Sequence, residues 1–144
     1  PVARFHAGGD VCATQADQTG IKGFERERAL LLELTHRWNA GDEATLAVNR
    51  HHLRQVIACI NEVCARRAIS SIERCERVRD ILEAPATREA VAALNRDVEA
   101  RRAMGLMYGP IVRKNAVACC LSARVAAWMG APQDMLSRRR PAVA

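Results

Sequence analysis

The stretch LAVNRHHLRQVIACINEVC, residues 46–64, decides the fold class. Leu46, Leu53, Val56, Ile57, Ile60, Val63 and Cys64 recur at the three- and four-residue spacing of one helix face, with Arg50, Arg54, Asn61 and Glu62 interspersed on the others. The spacing predicts a helix over about 43–67. Asp42 can cap it, and Gly41, following Asn39, ends the helix before it.

Towards the N-terminus, Phe24, Leu31, Leu34 and Trp38 continue the helical period, while Glu25, Arg26 and Glu33 fall on other faces. Residues 1–23 hold Pro1, Gly8, Gly9, Gly20 and Gly23 without a sustained apolar period, and read as an irregular arm, flexible or bound to a partner. Towards the C-terminus, Ser70 and Glu73 form a capping box that opens a helix over about 71–84, carrying Ile72, Cys75, Val78, Ile81 and Leu82 inward until Pro85 halts it. Thr87 can cap a helix over about 88–106 that buries Val91, Leu94 and Val98. After the turn Tyr108-Gly109-Pro110, a helix over about 111–129 offers Val117, Leu121, Val125 and Trp128 at helical spacing and ends at Gly130. Residues 131–144, with Pro132, Pro141 and Arg138–Arg140, read as a loose basic tail.

No segment alternates apolar and polar residues as a strand does. The short connections between helical segments favour antiparallel neighbours. The expectation is an all-α chain: an antiparallel bundle of four to five helices spanning residues 24–130, with an N-terminal arm and a basic C-terminal tail.

With 144 residues, 49% hydrophobic and 26% charged, the composition is that of one folded domain and excludes a disordered chain. The five aromatic residues offer little for sugar or multi-base stacking. Charges interrupt every apolar run before it could span a bilayer, and the first residues show no cationic, apolar, small-residue series of a secretion signal. Ala116, Ala118, Ala123, Ala126 and Ala127 crowd the last helix and bury little area each, which points to an oligomer or a complex subunit.

Chemistry-bearing residues are sparse in pattern. Cys12, Cys59, Cys64, Cys75, Cys119 and Cys120 lack the paired spacing of a structural zinc site, and Cys59 and Cys64 lie about 140° apart on a helix. Cys59, Cys64, Cys75 and Cys120 read first as small core hydrophobes, with a disulfide framework of a secreted protein as the alternative and fifteen possible pairings for six thiols. His51 and His52 point about 100° apart and read as solvated residues near a helix start. Ser70, Ser71, Ser122 and Ser137 occupy no glycine-flanked elbow, and Gly8-Gly9 precedes no phosphate-binding lysine. Asp42, Glu43, Asp97 and Glu99 read as helix-start charges and partners for arginines. The expectation is a non-enzyme with no catalytic residue, cofactor or metal ligand.

The net charge of +6 includes three charges from Arg138, Arg139 and Arg140, so residues 1–137 carry about +3, and Lys22 and Lys114 are the only lysines. Arginine forks suit carboxylates and phosphates. Arg66, Arg67, Arg74, Arg77, Arg101, Arg102, Arg138, Arg139 and Arg140 are the expected partner or phosphate contacts if antiparallel packing gathers them on one surface. Two functions follow. The first is a non-enzymatic interaction protein, an adaptor, chaperone or assembly subunit, docking a protein partner or itself through apolar helix faces and arginines. The alternative is a nucleic-acid-associated coat or packaging subunit that neutralises phosphates. The sequence selects no compartment; the cytoplasm is favoured, with processed secreted and virion proteins as alternatives. Glu25-Arg26-Glu27-Arg28 before Leu30-Leu31-Leu32, then Ala40-Gly41-Asp42 and a long Leu/Arg helix, resembles the type III export chaperones of the flagellum over residues 24–67. The breaks at Ser70 and Pro85 depart from that family's longer helices, and no functional residue is carried over from it.

Overall fold

The computed structural model describes the backbone of residues 3–137 and the side chains of residues 20–130. The secondary structure of the described residues is helical, without a strand, and the helices pack together. In order they are α1 (Ala3–Arg37), α2 (Gly41–Ala65), α3 (Ser71–Glu83), α4 (Pro85–Ala93), α5 (Val98–Met104), a 3-10 turn (Gly105–Met107), α6 (Tyr108–Val112) and α7 (Ala116–Ser137).

Helix α2 is the hub, packing against α1, α3, α4, α5 and α7. Its expected stripe is the core: Leu53, Val56, Ile60 and Val63 are buried, against Val78, Ile81 and Leu82 of α3, Ala90, Leu94, Met104, Met107, Ile111 and the inner face of α7. Each large aliphatic side chain sealed there contributes about 1.5–3 kcal/mol.

Local chemistry sets the ends. Ser70 Oγ accepts from the Glu73 amide at 3.1 Å, as the capping box requires. Pro85 both closes α3 and opens α4 from the first-turn position that needs no amide hydrogen. Two further caps are seen, at Asp97, which was expected as a helix-start charge, and at Asn115, which was not. Asp97 accepts from the Glu99 amide at 3.0 Å to start α5, and Asn115 Oδ1 accepts from the Ala118 amide at 3.0 Å to start α7. Gly105 closes α5 at φ +52°, ψ −129°, a conformation that only glycine adopts freely.

Several expected boundaries move. The helix expected from Phe24 starts at Ala3 and runs through the glycines of 1–23, because a helical glycine weakens a helix by about 1 kcal/mol without ending it. For the same reason α7 passes Gly130 and continues to Ser137. The segment expected as one helix over 88–106 is split by the turn around Asp97. Thr87 is not a cap but lies buried inside α4, and Val98 is exposed. The segment expected over 111–129 is split at Lys114, which holds φ +53°. Asp42 sits in the first turn of α2 without a side-chain cap bond. Trp38 and Ile72, expected on buried stripes, are exposed.

Candidate interaction surface on the last helix

Helix α7 carries two apolar faces. Ala116, Cys119, Cys120 and Ala123 turn inward onto α2 and α3. Val117, Leu121, Val125 and Trp128, the apolar residues expected at helical spacing, are 57%, 58%, 46% and 79% exposed. At about 100° per residue they share an arc of about 80°, roughly opposite the buried face, and at 1.5 Å per residue they extend about 16 Å. Small residues face the core because they let α7 approach α2 and α3 closely; the larger side chains are left facing out. Leu106, in the 3-10 turn that packs against α7, is also exposed.

The arginines divide by their partners. Arg74 lies partly buried and donates from Nη2 to the Arg66 carbonyl at 2.7 Å and the Ile69 carbonyl at 3.4 Å, tying the turn between α2 and α3. Arg77 pairs with Glu73 one turn before it, and Arg66 with Glu62 at 3.4 Å. Arg67 and Arg102 are exposed, and exposed Arg101 lies 5.7 Å from the Tyr108 ring centroid, at cation–π distance. Arg50 holds Asp97 near the N-terminal half of α2, and Arg66 follows sixteen residues later, about 24 Å along the axis. Arg101 and Arg102 of α5 therefore lie towards the opposite end of α2 from Arg66, Arg67, Arg74 and Arg77, and the two groups do not converge. Arg138, Arg139 and Arg140 lie outside the described residues, as does the Cys12 side chain.

Buried polar residues were not among the expected site residues. Arg28 of α1 is buried, donating from Nε to Asn49 Oδ1 at 3.0 Å and from Nη1 to Glu89 Oε2 at 2.9 Å, so one guanidinium joins α1, α2 and α4. Arg50 pairs with Asp97 at 2.6 Å and Glu43 at 2.8 Å; these hydrogen bonds raise its pKa and hold the Asp97 carboxyl below its ordinary value. His51 is exposed as expected, facing Glu27 at 3.3 Å. His52 is a correction. It is 2% exposed, and neither ring nitrogen makes a well-formed hydrogen bond. Burial, with the Arg28 charge beside it, depresses its pKa to about 4 despite a weak opposing influence from the Phe24 backbone.

Cys64, Cys75, Cys119 and Cys120 are free thiols, and with Cys59 they pack in or against the core. Burial pushes the Cys119 thiol up to about 11 and Cys120 up to about 12, and also raises Cys64. Among the described residues no cluster of histidine, cysteine or acidic side chains is arranged to hold a metal ion, and no helix is long and apolar enough to cross a membrane. Comparison with protein-family models, with curated proteins and with solved structures finds no match for this chain.

Proposed function

We propose that this chain is a non-enzymatic helical interaction protein, an adaptor, chaperone or assembly subunit, that docks a second helix on the outer face of α7. One observation carries the reading: Val117, Leu121, Val125 and Trp128 form a continuous exposed stripe on a helix whose opposite face is already packed. Large apolar side chains aligned in this way are characteristic of association surfaces, whereas singly scattered ones are not. Their spacing is that of a helix laid against another helix. In this reading the four to five principal helices pack antiparallel and serve as the scaffold that presents α7. The internal partners of Arg66, Arg74 and Arg77 favour this over phosphate binding, since those guanidinium groups would have to give up contacts to engage a nucleic acid.

Light scattering on size-exclusion fractions, run beside apolar-dye binding for wild type and Leu121→Asp, tests the proposal. Self-docking gives an oligomer that is indifferent to moderate salt and dissociates in the variant. Docking of another protein gives a monomer whose dye binding drops in the variant. A wild-type monomer that binds no dye, or association unchanged by Leu121→Asp, overturns the assignment. Material absorbing at 260 nm that salt strips away, with loss of the association, would overturn it in favour of nucleic acid.

A further inference from the structure

An open groove of about 560 Å³ runs between α4 and α6, a volume within the range of small-ligand sites. Leu82 of α3 and Ile111 of α6, both buried, form its floor, and Val91 and Ala92 of α4 line it beside them. Two exposed cations line the same groove: Arg88 of α4, and Lys114 in the turn between α6 and α7. Its one acid, Glu89, is already engaged, because Arg28 Nη1 donates to Glu89 Oε2 at 2.9 Å. Among the described residues, neither Arg88 nor Lys114 has a side-chain hydrogen bond or ion pair within the chain. The groove therefore combines an apolar floor with two uncompensated positive charges.

Lys114 occupies its place under strain. It holds φ +53°, the left-handed region that side chains other than glycine and asparagine disfavour. Glycine would make the same turn without strain but would bring no charge to the groove. Residues held in this way cluster at binding and catalytic sites.

We propose that this groove binds a small amphiphilic carboxylate of the fatty-acid type, with its chain on Leu82, Val91 and Ile111 and its carboxylate between Arg88 and Lys114. The Arg88 guanidinium offers the planar pair of N–H donors that fits a carboxylate, and the Lys114 ammonium adds a compact second charge. The apolar floor favours a ligand with a hydrocarbon body over a bare anion, and the two charges reject a cationic amphiphile. A stable protein partner covers about 800 Å² on each side, whereas a single concavity framed by these few residues is the footprint of a small molecule. The groove shares no residue with the outer stripe of α7, so this inference is independent of the docking surface.

The test is an amide NMR titration of the isotope-labelled full chain at pH 7 with decanoate, kept below the concentration at which it forms micelles. Decanol and decyltrimethylammonium serve as the neutral and cationic controls. The expected result is saturable shifts at Val91, Ala92 and Ile111 with decanoate, and weaker binding of both controls. Arg88→Gln and Lys114→Gly are each expected to weaken decanoate binding by about three- to tenfold. Lys114→Gly also relieves the backbone, so it should raise the thermal midpoint while losing affinity, a combination that a purely structural role for Lys114 would not give. Absence of saturable shifts at the groove overturns the proposal. So does decanol or decyltrimethylammonium binding there as tightly as decanoate, or unchanged decanoate affinity in either variant.

Discussion

Arg50 Nε donates to Asp97 Oδ2 at 2.6 Å, joining the middle of α2 to the residue that caps α5. Asp97 therefore performs two tasks with one carboxylate, accepting from the Glu99 amide and neutralising a mostly buried guanidinium. Asp97→Asn keeps the cap and removes the charge, whereas Asp97→Ala removes both. Thermal midpoints are expected to fall in the order wild type, Asp97→Asn, Asp97→Ala. The Asp97 pKa is lowered in the folded chain, so its contribution is present above the ordinary value of 3.8 and lost as pH falls through the folded value. Asp97→Asn is expected to flatten that part of the acid profile.

Acid acts earlier through His52. Its folded pKa of about 4 lies below the ordinary 6.5, so between those values the unfolded chain binds the proton and the folded chain does not. Stability is complete above pH 6.5 and declines as pH falls towards 4, with a total loss of about 3 kcal/mol at 1.36 kcal/mol per unit. The groups around the ring are Arg28, His51, Glu27 and the Phe24 backbone. Urea unfolding at pH 7 and pH 5 measures the decline, and His52→Leu is expected to remove most of the difference.

Equal truncations on the two sides of the molecule should differ widely. Leu53 is 1% exposed in the core, and Leu53→Ala is expected to lower stability by about 2–5 kcal/mol. Leu121→Ala removes the same atoms from an outward face and should stay within about 0.5 kcal/mol for the isolated chain. Denaturant midpoints of the two variants measure the contrast. A large loss at Leu121 in a monomer would show that its side chain is covered.

Two backbone positions should respond oppositely to a change of side chain. Gly105→Ala adds a Cβ that meets no neighbour, but at φ +52°, ψ −129° it strains the backbone by about 1–3 kcal/mol. Lys114 already bears such strain at φ +53°, and Lys114→Gly is expected to recover about 1 kcal/mol. Thermal unfolding of the two variants gives the signs.

The core of α2 and the capping box at Ser70 were legible because each rests on interactions within a few residues. The breaks at Asp97 and Lys114 were not, since Val98 and Val117 keep the apolar period in phase across them. Periodicity finds a face without saying which face turns inward. On α7 it selected the larger residues, but the choice was made by how closely the helix can approach α2 and α3, which favours alanine and cysteine. Arg28 and His52 were hidden for another reason. Their burial depends on partners 21 and 61 residues away for Arg28, and on the approach of α1 for His52, and no local spacing encodes either. Among the expected contact arginines, Arg66, Arg74 and Arg77 also have partners within the chain, at the turn between α2 and α3 and on α3, which local spacing did not reveal.

The inverted packing of α7 changes how substitutions along it would be read. A saturation library of this helix, scored only for soluble yield, would rank Cys119 and Cys120 among the least replaceable positions, because both are buried where α7 packs on its neighbours. Trp128, the largest side chain on the helix, would rank among the most replaceable. Selection acting on foldedness alone would therefore leave the outer stripe free to change.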